Sequence, residues 1–101
     1  MRVMELFAVL YTYADRPDDL DAVRPAHRAW LSSLFDEGVN LLSGPLGEPG
    51  GAGGLIVVRA RDLAEATEIM DADPFATEGL VAERQIRPFR QVYGSLPALT
   101  A

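Results

Sequence analysis

The sequence predicts one α+β domain of the ferredoxin-like order β-α-β-β-α-β, a four-stranded antiparallel sheet with two helices on one face. Four apolar runs have strand character, and two segments have the three- and four-residue apolar spacing of helices. These six segments follow one another in that order. Because 101 residues suffice for one core, we assign residues 1–94 to the domain and 95–101 to a short tail.

The first strand and first helix are predicted in the N-terminal third of the chain. Residues 4–13 are apolar at both alternating sets of positions, which is typical of a strand buried on both faces. The acidic segment 15–21 is expected to form a loop. A helix is predicted over 23–37, with Pro25 in its first turn and Gly38 as its left-handed stop.

Two strands and the second helix follow. Residues 39–46 are predicted as the second strand, the glycine-rich segment 47–54 as a flexible hairpin loop, and residues 55–60 as the third strand. The second helix is predicted over 63–71, because Asp62 and the glutamate three residues later form a capping-box pattern.

Two prolines shape the predicted C-terminal part. Pro74 disfavours helical geometry at Asp73, so the second helix should end there. Residues 75–79 are expected to form a short connection, with room for one helical turn. Residues 81–93 are predicted as the fourth strand, and Pro88 inside it indicates an edge position, since proline donates no ladder hydrogen bond.

The apolar character of both faces of strands 1 and 3 predicts a partner. The two helices would cover one face of the sheet, and an antiparallel sheet usually leaves its other face in water. No third helix is available as a cover. We therefore predict a homodimer in which the open faces of two sheets pack together, with the C-terminal tail as the alternative cover.

Composition removes several kinds of chemistry. All nine basic residues are arginine, which excludes lysine Schiff bases and the Walker lysine. Without cysteine there are no disulfide bonds and no thiolate sites. A formal charge of −6 disfavours nucleic acid as a partner. With no recognisable signal peptide and no membrane-length apolar run, we expect a cytoplasmic protein that uses no cofactor and no metal.

The single histidine, His27, is the main candidate for proton transfer. Imidazole is the side chain that most readily exchanges a proton near neutral pH. A packed core histidine would fit the same position equally well. His27 lies on the apolar face of the first predicted helix, together with Val23, Ala26, Trp30, Leu31 and Leu34.

The predicted topology brings a carboxylate towards His27. The start of the first helix and the end of the second lie at the same edge of such a sheet. There, Asp73 continues the inward stripe of Leu63, Ala66 and Met70. A carboxylate bonded to one imidazole nitrogen fixes the tautomer and favours the charged ring, which suits a general acid or base. An ordinary turn residue before proline is the alternative interpretation of Asp73.

Other polar residues are expected at the same edge. Tyr11 and Tyr13 lie near the end of strand 1, and Ser43 lies near the end of strand 2. Tyr11 and Ser43 are each suited to orienting a substrate, and equally to packing or turn formation, whereas a packing role is favoured for Tyr13. Surface or interface positions are favoured over a substrate clamp for the strand-4 arginines Arg84, Arg87 and Arg90.

Five short motifs, spread over about residues 3–93, give the chain a specific pattern. They are Leu10-Tyr11, Arg24-Pro25-Ala26-His27, Leu42-Ser43-Gly44-Pro45-Leu46, Asp71-Ala72-Asp73-Pro74-Phe75 and Glu83-Arg84-Gln85-Ile86-Arg87-Pro88-Phe89. In this order they resemble the YciI-like (YCII-related) family of the dimeric α/β-barrel superfamily. The resemblance implies a ferredoxin-like fold, a dimer formed through the sheets and an active site at His27 and Asp73. It also makes Phe75 a candidate for substrate binding, beside Ser43 and Tyr11.

The resemblance leaves the reaction open. A related member of the superfamily is a dehydrochlorinase that acts on a chlorinated hydroxyhydroquinone, and muconolactone isomerase is a more distant relative. Both reactions need proton transfer and no cofactor. The leading hypothesis is therefore a cofactor-independent lyase or isomerase that acts on a small cyclic or aromatic metabolite. The alternatives are a non-catalytic small-ligand-binding or accessory protein and, more weakly, a cofactor-free monooxygenase.

Overall fold

The computed structural model describes residues 4–95 and has the predicted ferredoxin-like fold. Expectations for residues 1–3 and 96–101, which include most of the predicted tail, lie outside the described residues. The elements are β1 (Glu5–Tyr13), α1 (Pro17–Asp36), β2 (Asn40–Leu46), β3 (Gly53–Ala60), α2 (Leu63–Asp71), α3 (Pro74–Thr77) and β4 (Val81–Phe89).

The four strands form an antiparallel sheet in the order β2-β3-β1-β4. β4 is therefore an edge strand, as Pro88 predicted. In the centre of the sheet, Phe7 of β1 lies opposite Val58 of β3 on one side and Pro88 of β4 on the other. This register places the odd-numbered residues of β1 and the even-numbered residues of β3 on the same face.

The main core lies between that face and the helices. Phe7 and Val9 of β1 pack with Val58 of β3 and with Ala66 and Met70 of α2, and all five side chains are buried. Burial of each large apolar side chain stabilises the fold by roughly 1.5–3 kcal/mol. A second cluster, formed by Leu20, Phe75 and Leu80, joins α1 to α3 and to the start of β4.

The start of α1 differs from the prediction. The helix begins at Pro17, so most of the segment 15–21 is helical instead of a loop. Pro17 lies in the first turn, where its missing N–H costs no intrahelical hydrogen bond, and Asp18 and Asp19 favour the positive end of the helix dipole. As a result, Pro25 lies inside the helix and not in its first turn.

Two positions predicted to face inward are exposed. Ala26 of α1 is exposed, and Leu63 of α2 retains 48% of its accessible surface. The earlier start of α1 adds Leu20 to its buried side, and His27 follows on the same side at 7% exposure. The apolar spacing therefore correctly predicted that His27 faces inward, but it wrongly placed Ala26 on the same face.

Two strand boundaries also differ from the prediction. β3 begins at Gly53, two residues early, because Gly53 and Gly54 pair with both β1 and β2. A Cβ on Gly53 would lie 2.4 Å from the carbonyl oxygen of Tyr11, so only glycine permits this approach. β4 ends at Phe89, which pairs with Leu6, because β1 extends only one residue further, to Glu5.

The outer face of the sheet, away from the helices, is open and partly apolar. Its exposed apolar side chains include Leu10 of β1, Leu42 of β2 and Phe89 of β4, each 38–46% exposed, and β4 adds the polar side chains of Glu83, Gln85 and Arg87. Within residues 4–95, no helix is both long and apolar enough to cross a membrane. The outer face thus leaves apolar side chains of three strands exposed in the described part of the chain.

The contact at Gly53 gives a direct test of the β1–β3 pairing. Gly53→Ala is expected to lower the free energy of unfolding by about 1–3 kcal/mol, because the added methyl group meets backbone that has no room to yield. Gly47→Ala is the matched control, since nothing lies within 4 Å of its Cβ position. Urea unfolding measures both variants, and equal midpoints would contradict the pairing at Gly53.

Candidate active site

The site is centred on a hydrogen bond between His27 of α1 and Asp73, the residue between α2 and α3. The distance from His27 Nδ1 to Asp73 Oδ1 is 2.8 Å. Both side chains are buried, and their residues are 46 positions apart in the chain. The histidine and the carboxylate are therefore in direct contact, as predicted, although His27 lies in the middle of α1 and not near its start. The catalytic role of the pair remains a prediction.

Local geometry fixes the Asp73 carboxylate. Asp73 has an extended backbone and caps α3, and its Oδ1 accepts a hydrogen bond from the Phe75 amide at 2.9 Å. Its Oδ2 accepts a hydrogen bond from the Tyr11 hydroxyl, also at 2.9 Å. The Asp73 side chain is fully buried, and both of its oxygens accept hydrogen bonds. A polar group in the core requires such partners.

Tyr11 lies behind the Asp73 carboxylate and is only 2% exposed. Burial, followed by the negative charge of Asp73, raises the pKa of the Tyr11 phenol above its ordinary value of 10.0. The phenol therefore stays neutral and donates its proton to Asp73. Tyr11 does not line the cavity beside His27, and its role in placing a substrate stays a prediction. It instead contacts the carboxylate that holds the histidine.

The second imidazole nitrogen of His27 remains available. If Nδ1 donates to Asp73, Nε2 carries the lone pair, and no residue in the described part of the chain bonds to it. Among residues 4–95, Asn40 Oδ1 is the only fully buried side-chain N or O atom without a partner, so Nε2 keeps accessible surface. Phe75 stacks on the imidazole, with ring centroids 4.0 Å apart and planes 18° apart, and so fixes the plane of the ring.

A cavity of about 340 Å³ adjoins His27. The volume suits a small metabolite. Ser43 and Phe75, two of the predicted substrate-binding residues, line it together with His27. The remaining walls come from α1, from the ends of β1 and β2 and from the start of β3, and include Leu31, Pro45, Leu46, Gly53, Gly54 and Ile56.

Ser43 lies on the inner face of β2 and has a defined hydrogen-bond role. Its Oγ accepts a hydrogen bond from Asn40 Nδ2 at 3.3 Å, and Asn40 also donates to the Leu31 carbonyl at 3.2 Å. Because Asn40 already supplies the donor, the Ser43 hydroxyl proton is left to point elsewhere. Ser43 is thus suited to donating a hydrogen bond to a molecule in the cavity.

Three polar residues of the cavity were not predicted as site residues. Arg24 and Arg28 of α1 line the cavity, as does Tyr13, for which packing was favoured. The spacing of Arg24, His27, Arg28 and Leu31 was the available signal, because positions i, i+3, i+4 and i+7 share one helix face. The strand-4 arginines do not line the cavity, which agrees with the surface positions expected for them; Arg84 donates to Asp71 at 2.8 Å.

The donor atoms around the site do not form a metal centre. In the range 4–95, no group of three or more histidine, aspartate or glutamate side chains is arranged to hold a metal ion. His27 and Asp73 are bonded to each other, and the third partner of the carboxylate is the Tyr11 hydroxyl. The arrangement is suited to moving a proton between Nε2 and a molecule in the cavity.

Comparison with known proteins identifies the family. The family model of the YCII-related domain matches residues 4–90. The chain belongs to the YCII-related family. Protein YciI of Escherichia coli O6:H1 is 34% identical over 90 residues, covering 78% of this chain and 92% of that protein. Protein YciI of Shigella flexneri matches with the same identity and coverage.

Solved structures support the fold. 5-Chloro-2-hydroxyhydroquinone dehydrochlorinase from Burkholderia phenoliruptrix AC1100, in complex with 2,5-dihydroxybenzoquinone, superposes with a TM-score of 0.71. It is 24% identical, and the match covers 88% of this chain and 95% of the dehydrochlorinase. A proposed antibiotic biosynthesis monooxygenase from Nitrosomonas europaea has a TM-score of 0.57 at 15% identity, with 92% and 94% coverage. At these identities the likeness establishes the ferredoxin-like fold alone.

The bond from Tyr11 to Asp73 gives a stability prediction. Tyr11→Phe is expected to lower the free energy of unfolding by about 1–3 kcal/mol, because it leaves a buried carboxylate oxygen without its donor. Tyr93→Phe removes the same hydroxyl group from a side chain that is 92% exposed, and should change stability by less than about 0.5 kcal/mol. Chemical denaturation compares the two, and equal losses would mean that the Tyr11 hydroxyl does not support Asp73.

Proposed function

We propose that this protein is a cofactor-independent acid–base enzyme, of lyase or isomerase type, that acts on a small cyclic or aromatic metabolite. One observation carries the proposal: a histidine bonded through Nδ1 to a buried aspartate leaves Nε2 accessible beside a cavity of about 340 Å³. This is the arrangement of a general base that is held in one tautomer and one orientation. Membership of the YCII-related family is consistent with it.

In the proposed mechanism, His27 Nε2 removes a proton from a carbon of the substrate. The electron pair of the broken C–H bond forms a new double bond. In an elimination, an anionic leaving group departs with its own electron pair, whereas in an isomerisation His27 returns the proton to another carbon. Asp73 stabilises the transient imidazolium through the 2.8 Å contact and does not take the proton itself.

Three features support a small ring as substrate. Phe75, Leu31 and Ile56 provide flat or apolar surface around the cavity, while Ser43 offers a hydrogen-bond donor. The structural neighbour from Burkholderia is a dehydrochlorinase seen with a quinone, and its fold covers 88% of this chain. We therefore propose a hydroxylated or otherwise oxygenated ring as the substrate class.

The position of His27 favours turnover over simple ligand binding. The ligand-binding alternative predicts that the His–Asp pair is sealed from an apolar pocket. In the structure His27 is itself part of the cavity wall, together with polar side chains. The monooxygenase alternative has only a fold likeness at 15% identity in its support, so it is not proposed here.

We also propose that the protein forms a homodimer through the outer face of the sheet. Leu10, Leu42 and Phe89 are exposed apolar side chains on that face, and they come from three of the four strands. Exposed apolar side chains grouped on one face of a sheet are typical of an interaction site. A second copy offers the same face, so a two-fold arrangement buries both surfaces at once.

Turnover by the His–Asp pair is tested with matched variants. Wild type is screened by mass spectrometry against chlorinated hydroxyhydroquinones and unsaturated lactones. With any compound that is converted, His27→Gln and Asp73→Asn are each expected to lower kcat by about 10²–10⁴-fold, because the base is lost or loses its orientation. Asp71→Asn is the control, since Asp71 is an exposed carboxylate two residues away that pairs with Arg84.

Two outcomes would contradict the catalytic proposal. One is conversion of a compound by His27→Gln at the wild-type rate. The other is an equal loss of activity in Asp71→Asn and Asp73→Asn, which would mean that the pairing of Asp73 with His27 is not what matters. Circular dichroism of each variant establishes that it is folded before its rates are compared.

The proposed dimer makes a separate prediction. Leu10→Glu is expected to convert a dimer into a monomer at micromolar concentration, because a carboxylate buried in an apolar interface lacks a partner. Leu63→Glu introduces the same change on α2, at a side chain of comparable exposure that lies away from the outer face. Sedimentation equilibrium measures the mass; a monomeric wild type, or dissociation by both variants, would overturn the proposed interface.

A further inference from the structure

The cavity beside His27 has a charge opposite to that of the chain. The chain has 15 acidic and 9 basic residues and a net charge of −6. Yet Arg24 and Arg28 both line the cavity, and no acidic side chain of the described residues does so. A local positive site attracts anions, whereas the net negative charge of the rest of the protein repels them. The position of the two arginines therefore indicates an anionic ligand.

The two arginines differ in their partners. The Arg24 guanidinium forms an ion pair with Asp21, one turn earlier in α1. Arg28 forms no ion pair with any residue in the range 4–95 and is exposed. Like charges four residues apart destabilise a helix, so Arg28 costs stability where it stands. Its guanidinium is available to a ligand, whereas that of Arg24 is partly neutralised.

The uncharged polar groups of the cavity are suited to the same kind of ligand. The Ser43 hydroxyl accepts from Asn40 and so is left to donate. The Tyr13 hydroxyl has no protein partner among the described residues. It lies beside Gly54 at the cavity, because a Cβ built on Gly54 would be only 2.8 Å from the hydroxyl oxygen. Burial raises the pKa of Tyr13 to about 12, so the phenol also remains a neutral donor at physiological pH. Arg28, Ser43 and Tyr13 can therefore each donate a hydrogen bond to a molecule in the cavity, which favours an acceptor such as an ionised oxygen.

Among ionised oxygens, the geometry favours a carboxylate over a phosphate. The cavity borders the middle of α1, where backbone N–H groups are used within the helix, so α1 presents no helix N-terminus to a phosphate. The nearby Phe75 amide already donates to Asp73. A single free guanidinium, with its two parallel N–H groups, matches the two oxygens of a carboxylate.

We propose that the ligand of this cavity is a cyclic acid whose carboxylate is bound by Arg28, with its ring directed towards His27. This inference rests on the proposed function, because it takes the cavity beside His27 as the substrate site. Arg28 then acts as a specificity-determining residue and takes no part in proton transfer. The acid would be held at the solvent-exposed side of α1, while the reacting carbon lies at the buried imidazole.

The test compares two probes of the same shape and different charge. 2-Hydroxybenzoate and 2-hydroxybenzamide are titrated into wild type, Arg28→Gln and Arg61→Gln by calorimetry at low salt. Wild type is expected to bind the acid at least about tenfold more tightly than the amide, and Arg28→Gln to lose about that factor for the acid alone. Arg61→Gln removes one arginine from the opposite end of β3, where it pairs with Glu65, and should bind the acid as wild type does.

Several results would overturn the proposal. Equal binding of the two probes, binding of neither, or unchanged binding of the acid by Arg28→Gln would each show that no carboxylate site exists at Arg28. Inorganic phosphate is the third probe. If wild type binds phosphate more tightly than it binds 2-hydroxybenzoate, the carboxylate assignment is ruled out. Arg28→Lys distinguishes charge from shape, since lysine keeps the charge but not the paired N–H groups, and is expected to restore binding only in part.

The proposed function and this inference can fail separately. If His27→Gln abolishes turnover while Arg28→Gln binds the acid normally, the catalytic proposal stands and the carboxylate site falls. If the acid binds through Arg28 but His27→Gln leaves turnover unchanged, the carboxylate site stands and the catalytic proposal falls. His27→Gln should retain binding of 2-hydroxybenzoate, because the proposed charge contact is made by Arg28.

Discussion

The buried carboxylate of Asp73 is the point on which the rest of the site depends. It accepts hydrogen bonds from the His27 ring, the Tyr11 hydroxyl and the Phe75 amide, and so connects α1, β1 and α3. A buried charge costs several kcal/mol unless its hydrogen-bond positions are filled. Each of the three donors is therefore needed, and each element must lie where its donor reaches the carboxylate. The carboxylate thus determines how these elements dock as well as how the imidazole is oriented.

The two faces of the sheet have different roles. The inner face carries Tyr11, and through Asp73 it supports a histidine that is mostly buried but borders the cavity. In that environment the charge that develops on the ring is stabilised more strongly by Asp73 than it would be in water. The outer face, in the proposed dimer, contributes apolar area and no chemistry. Substitutions on the two faces should therefore affect different properties of the protein.

The contact between His27 and Asp73 could be predicted because it follows from topology. Element order places both helices on one face of the sheet, and both residues continue apolar stripes, although His27 lies in the middle of α1 and not near its start as predicted. Tyr11 could not be placed in the same way: β1 is apolar at both alternating sets of positions, so the pattern does not reveal which set meets the helices. The early start of α1 was missed because an acidic segment with a proline resembles a loop, although the same residues suit a first helical turn.

The position of α1 explains how one helix serves both the base and the ligand. Successive residues of a helix are rotated by about 100°, so His27 and Arg28 differ in burial although both line the cavity. His27 is buried against Asp73 and Phe75, while Arg28 is exposed at the wall of the same cavity. A base needs a dry, fixed environment, and a charged recognition group is cheapest to maintain in solvent. On α1 the buried His27 meets the first requirement and the exposed Arg28, the next residue, meets the second. The site therefore needs few polar side chains.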